Sequence, residues 1–423
     1  MNRRFITRLT AVVTVAAAGL ALSGCAVSAN GGGSDTIRVI AQTGGPGTAL
    51  ADAAKEWNKT HPTKVQVDLF DYDATRERTV LGFSSGKSSY DVIGMDYAWE
   101  KQYVDSGYLE SLNNMVKADA KSIKMSDYIQ AYVNWGTIGK QQYALPWFGA
   151  VYMLYYRKDL LQQAGVAVPK TWNDYVQAAQ TVQEKTGVTG TTLIGKRDDP
   201  LLDEYWSIAW SYGAQITTDG KASAMDSPQA RQAFDVWKKV VPHAPGDAQS
   251  ADWPAAAAAF SEGKTAMMIN FSDTSDALIA DTSKVKDKVG FAPLPSGPTG
   301  KSTPNLGGWG LGVSAKSAHK REAFDFVAWA TSAEQQQAGL ANGGSASRIS
   351  VLSDPQNQAK YPYYSAALTD YENAVYFPVT SHWVDWEAAM APPLSSALNG
   401  QIPTDAAFTQ SSQRLDAEIT KDK

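Results

Sequence analysis

Between Thr36 and Met95 the chain alternates short apolar runs with amphipathic stretches. Ile37-Arg38-Val39-Ile40-Ala41 has the pattern of a buried strand, and Ala49 to Lys59 follows with helical spacing until His61-Pro62 stops it. Val65, Val67 and Leu69 alternate as a second strand, a helix is predicted over 75–83, and Tyr90 to Met95 reads as a third strand. Such a β-α-β-α-β run implies a mainly parallel sheet covered by helices, with ligands at the carboxyl ends of the strands. The same pattern restarts after Pro146, with a strand from Val151 to Tyr156 and a helix opened by Thr171-Trp172-Asn173-Asp174, a capping-box arrangement. Further helices are predicted over 228–240, 253–261, 318–330 and 383–398. Two α/β lobes are the economical reading, and the lack of any period of about 20 to 50 residues argues against solenoids and propellers.

The amino terminus departs from this pattern. Arg3, Arg4 and Arg8 precede an apolar segment from Ala11 to Leu22, the form of a secretory signal and too short to span a bilayer as a helix. Leu22-Ser23-Gly24-Cys25 resembles the lipobox of bacterial lipoproteins, in which cleavage before the cysteine frees it for acylation. The expected organisation is a signal peptide over 1–24 and a lipid-anchored linker over 25–34, which hold the body outside the cell membrane. Cys25 is the only cysteine, which excludes disulfides and thiolate metal sites. The four histidines show no metal-ligand spacing, so no metal or other cofactor is expected. Loss of three arginines with the signal leaves 35 of the 38 basic residues against 43 acidic ones, a balance that argues against nucleic acid. The glycines of Gly308-Trp309-Gly310-Leu311-Gly312 invite comparison with a dinucleotide loop, but Leu311 to Val313 reads as a strand.

Four stretches in order, 90–112, 143–179, 259–273 and 290–332, together resemble the extracellular solute-binding proteins of ABC sugar importers. The most specific is "YALPWFGAVYMLYYRKDLLQQAGVAVPKTWNDYVQAA", in which Arg157 replaces the family's usual Asn on what is expected to be an exposed turn. The resemblance implies an α/β, two-lobe periplasmic-binding-protein-like fold of the class II type, its lobes joined by three crossings with a ligand cleft between them. Carried onto this chain, lobe one is 35–146 plus 293–331 and lobe two is 147–292 plus 332–423. It also implies a monomeric, non-catalytic protein that captures a carbohydrate and delivers it to the permease of an ABC transporter.

A sugar presents hydroxyls at its edge and an apolar C–H face, so its binder needs carboxylate, amide or guanidinium groups together with aromatic rings. Trp147 and Phe148 at the first crossing, and Gly308 and Trp309 in the glycine-rich segment, are the candidate stacking positions. Trp57, Trp172, Trp237 and Trp329 lie at helical core spacing and are expected to pack inside. Asp71 and Asp96 follow strands at the expected cleft edge, where the competing role is a helix N-cap. The resemblance adds Trp206, Trp210 and Trp383 as second-lobe aromatics, Asn270 near the cleft, where capping the next helix is the alternative, and Arg348. Asp203 joins the ligand-binding candidates.

Two other functions share these features. Asp198, Asp199, Asp203 and Glu204 suit the acid and base of a lipid-anchored glycoside hydrolase or lyase. A peptide-binding relative would share the fold. The lipobox generates a direct test: Cys25→Ser is expected to yield unprocessed or released protein, whereas soluble material starting near Asn30 keeps its ligand binding. Loss of binding by that truncated form contradicts the domain reading.

Overall fold

The computed structural model describes residues 36–85 and 89–421, so the signal segment, Cys25 and the linker lie outside the described residues. The expected alternation is present as β1 (Thr36–Gln42), α1 (Gly45–Thr60), β2 (Lys64–Phe70), α2 (Tyr72–Ser84), β3 (Val92–Asp96) and α3 (Tyr97–Asp105). Local chemistry sets these boundaries. Pro46 sits in the first turn of α1, where its missing N–H costs nothing, and His61 ends the helix in an extended conformation because Pro62 disfavours a helical residue before it. Asp71 and Asp96 cap α2 and α3 through the amides of Ala74 and Ala98, each at 2.8 Å. β1 pairs in parallel with both β2 and β3, which brings the carboxyl ends of all three to one edge.

β4 (Ala144–Arg157) is a single strand of 14 residues, buried almost throughout. Residues 144–151 pair with β7 (Leu306–Val313), whereas 152–157 pair with β5 (Met267–Phe271) and β6 (Val289–Ala292). The resulting seven-stranded sheet runs β6-β4-β7-β3-β1-β2, with β5 also on β4. Only β1, β2 and β3 are mutually parallel, and every pairing of β4 and β7 is antiparallel. The expectation of a mainly parallel sheet therefore holds for the first three strands alone. β7 enters between β3 and β4 from a distant part of the chain, so no crossover helix fixes its direction.

Pro146 stands inside β4 without a ladder donor, and the register with β7 slips there: Gly310 faces Pro146, Trp309 faces Phe148, and Trp147 faces no residue. Behind this bulge Tyr132 Oη lies 2.9 Å from the carbonyl oxygen of Ala150 and 2.7 Å from that of Gly307, which ties β4 to β7. Gly149 permits the contact, since a Cβ there would meet the Tyr132 ring at 2.5 Å.

Beyond β4 the capping box forms as the sequence predicts. α4 (Trp172–Thr186) starts with the Asp174 amide on Thr171 Oγ1 at 3.1 Å and the Thr171 amide on Asp174 Oδ2 at 3.0 Å. α5 (Asp199–Ala209), α6 (Pro228–Lys238), α7 (Trp253–Ser261), α8 (Lys320–Ala330), α9 (Ala333–Gly339), α10 (Trp383–Leu398) and α11 (Thr404–Lys421) complete the main helices. Trp57, Trp172 and Trp237 are buried in the core as their spacing implies, and Trp329 packs half-buried against Trp57 at 5.4 Å. Arg157 corrects an expectation: it is buried at the end of β4, and its guanidinium grips Asp159 with two bonds of 2.7 and 2.6 Å. A carboxylate two residues away satisfies the fork, so the stem folds back under cover instead of extending into water.

Candidate ligand-binding cavity

A cavity of about 270 Å³ opens beyond the carboxyl end of β3, along the glycine-rich stretch of β7. Its aromatic wall is built on Trp309, 3% exposed, which takes Tyr72 and Trp99 edge-on at 5.9 and 5.0 Å and lies near-parallel to Phe148 at 6.4 Å. Trp253 and Phe271 supply further rings, and Trp253 is held by its Nε1 donating to Tyr152 Oη at 3.2 Å. Gly307 and Gly308 keep this wall concave. A Cβ on Gly307 would meet the Phe271 ring at 2.6 Å, and Gly308, with φ +141°, has the Phe148 carbonyl 2.7 Å from that position.

The other face of the cavity is acidic. Asp96 receives the hydroxyl of Tyr72 at 3.3 Å in addition to its capping bond, and burial still pushes its carboxyl up to about 6. Asp203, 4% exposed, accepts from Asn305 Nδ2. Burial raises it well above the carboxylate range, reinforced by the charges of Asp199, Asp96 and Glu387. Asp199 opens α5 and is raised by burial and by Asp96 and Asp198. The turn before it is strained: Asp198 has φ +105°, a backbone state that costs a non-glycine residue about 1–3 kcal/mol. Asp273 follows β5, lines the cavity and is exposed. The arrangement offers flat apolar faces on one side and hydrogen-bond acceptors on the other.

Of the residues selected from sequence, Asp96, Phe148, Asp203, Asn270, Gly308 and Trp309 line this cavity. Asn270 is no helix cap: its Oδ1 accepts from the Phe271 amide at 2.8 Å and its Nδ2 donates to the Trp253 carbonyl at 3.0 Å, fixing the start of α7 against β5. The others do not reach it. Asp71 is exposed and committed to capping α2. Trp147, 5% exposed, lines a separate small crevice with Pro46, Leu50 and Ala53 of α1 and not this cavity. Trp206 is fully buried beside Tyr205. Trp383 stacks on Phe377 at 4.3 Å and Trp210 lies 5.4 Å from the same ring, so both stand behind the residue that does line the cavity. Arg348 lies under the Tyr128 ring at 3.5 Å and donates to the carbonyls of Thr331 and Ile123 at 3.0 and 2.7 Å, which staples two chain segments together. Of the four acidic residues offered to a hydrolase, Glu204 is occupied: it accepts from Trp237 Nε1 at 2.8 Å and from the Ile194 amide at 2.9 Å.

Sequence reasoning passed over Tyr72, Trp135, Trp253, Phe271, Asp273, Asn305 and Phe377. The rule that selected Asp71 and Asn270 at strand ends reaches Tyr72, Phe271 and Asp273, their neighbours. Trp253 is the first residue of the helix expected over 253–261, an end position at which a side chain can face a cavity instead of the helix's packed side.

A cavity with an aromatic wall and an acidic face is suited to the capture of a solute. The profile of the bacterial extracellular solute-binding protein family matches residues 41–337. The chain is 28% identical over 303 residues to a probable ABC transporter-binding protein of Deinococcus radiodurans, spanning 69% of this chain and 70% of that one. The maltose-bound MalE3 of T. maritima aligns with a TM-score of 0.82 at 25% identity, over 90% of this chain and 99% of that one. An ABC transporter solute-binding protein of Agrobacterium radiobacter K84 in complex with ribitol gives 0.83 at 25% identity, over 90% and 98%. The chain belongs to the bacterial extracellular solute-binding protein family; it is a substrate-binding protein of ABC transport and not an enzyme. No helix among the described residues is long and apolar enough to cross a membrane.

The buried carboxyls set a pH dependence of stability. Burial holds Asp96 at about 6, and Glu204 and Asp370 at about 8, all above their unfolded values near 4. The folded state therefore binds these protons more tightly, and the stability they contribute is complete below the unfolded values and lost as pH rises through about 6 to 8. The ligand-free protein should melt at a higher temperature near pH 5 than near pH 8. Calorimetric scans showing the reverse slope refute this assignment.

Proposed function

We propose that this protein is the lipid-anchored receptor of an ABC importer and captures a small polyhydroxylated carbohydrate, a polyol or a mono- or disaccharide, for its permease. The observation that carries the reading is the pairing of aromatic faces, Trp309, Phe148 and Tyr72, with acceptors at the edge, Asp96, Asp203 and Asn305. That combination suits the C–H face and hydroxyl rim of a sugar. A volume of about 270 Å³ lies at the small end of ligand sites, which favours a short ligand over a long oligosaccharide. The maltose and ribitol bound by the two structural relatives belong to the same chemical class. In this reading the lobes are 35–146 with 293–331 and 147–292 with 332–423, and they close on the ligand about the crossings. Cys25 carries the lipid that keeps a monomeric receptor at the outer face of the cell membrane.

Calorimetric titration against tetritols to hexitols and against mono-, di- and oligosaccharides tests this, with saturable binding expected for a short member. Trp309→Ala should weaken binding about ten- to two-hundredfold, as loss of a stacking ring worth about 1–3 kcal/mol implies. Both rings are buried, so each truncation should cost about 3–5 kcal/mol of folding free energy, but Trp147→Ala should leave affinity within about twofold. If Trp147→Ala abolishes binding and Trp309→Ala does not, the ligand sits elsewhere.

A further inference from the structure

The charged inventory of the cavity is one-sided. Asp96, Asp199, Asp203 and Asp273 line it, and no lysine, arginine or histidine stands among its lining residues. Asn305, 1% exposed, gives its amide hydrogen to Asp203 and leaves Oδ1 without a partner. Three donors at the wall are committed, Tyr72 to Asp96, Trp253 to Tyr152 and Asn270 to the Trp253 carbonyl. Charges of one sign in a low-dielectric enclosure repel, and a buried acceptor without a donor is costly. A neutral sugar supplies hydrogens and so relieves the second deficit only. No group of three acidic residues among those described converges closely enough to hold a metal ion. The missing partner is a positive charge with several hydrogens, carried on an organic frame. The faces of Trp309 and Tyr72 beside the carboxylates favour a cation as well.

We infer that the ligand is an amino sugar or amino polyol whose protonated amine faces the acidic wall formed by Asp96, Asp199 and Asp203, on the side of Asn305. This rests on the carbohydrate reading and narrows it. The charged and titratable groups around that position are Tyr72 on α2, Asp96 at the start of α3, Asp199 and Asp203 on α5, Asp273 after β5 and Glu387 on α10. Asp198 adds negative charge from the flanking turn, and Arg76 acts on Glu387 without lining the cavity. Protons compete with the ammonium for these carboxyls, so affinity for the amine rises with pH up to the point where the amine itself loses its proton.

The test is calorimetric titration of the full chain with matched pairs that differ in one group, amine for hydroxyl, such as glucosamine against glucose and 1-amino-1-deoxyglucitol against glucitol. At about pH 7.5 the amine of a bound pair should bind at least about tenfold more tightly, and the advantage should shrink at about pH 5.5. Asp199→Asn should narrow the ratio further, with the circular dichroism spectrum unchanged to show that the variant folds. Equal affinities within every bound pair overturn the amine and leave the carbohydrate reading intact. Failure of every sugar and polyol, aminated or not, overturns both, whereas a tenfold advantage that Asp199→Asn leaves untouched overturns the assigned position.

Discussion

The structure depends on one length of backbone that belongs to two sets of hydrogen bonds. β4 gives residues 144–151 to β7 and residues 152–157 to β5 and β6, so both halves are registered against a single strand. The bulge at Pro146, the glycines of β7 and the hydroxyl of Tyr132 together leave a hollow beside that strand. Because the ladder on either side is continuous, Phe148, Trp309 and Asn270 are placed by main-chain pairing rather than by loops, which favours precise positions for a ligand.

Stability and binding pull against each other around this hollow. Glu204 and Asp370 are buried but have donors: Trp237 and Ile194 for the first, Leu294 and Ser302 for the second. They tie segments together. Asp199 and Asp203 instead crowd one another, with Glu387 close by and no basic residue on the wall. An arrangement that is poor for the empty protein is intelligible where a ligand supplies what is missing, and local conflict of this kind is common at functional sites.

Local pattern made most of the elements readable. The strands expected from Ile37, Val65 and Tyr90, the stop at His61-Pro62, the Thr171 capping box and the helix over 253–261 all appear at or near their expected bounds. Half of the selected site residues line the cavity, and Asp96 and Trp309 owe that to their place at a strand end and in a glycine-rich strand. Those that do not line it share a cause. Asp71, Trp147, Trp206 and Arg348 have suitable chemistry, but whether a side chain reaches this cavity or its own helix, a neighbouring crevice or a nearby carbonyl is not a property of residue type.

Periodicity and capping signals, both short-range, were enough by themselves to specify an α/β chain, and the resemblance of four ordered stretches pointed to the family. The direction and partners of β7, the register slip that separates Trp147 from Phe148, and the meeting of Tyr72 and Asp96 with Asp199 and Asp203 came only with the tertiary structure. These join residues more than a hundred positions apart, and the contacts that decide them are made by packing and strand pairing between segments whose local sequences carry no record of one another.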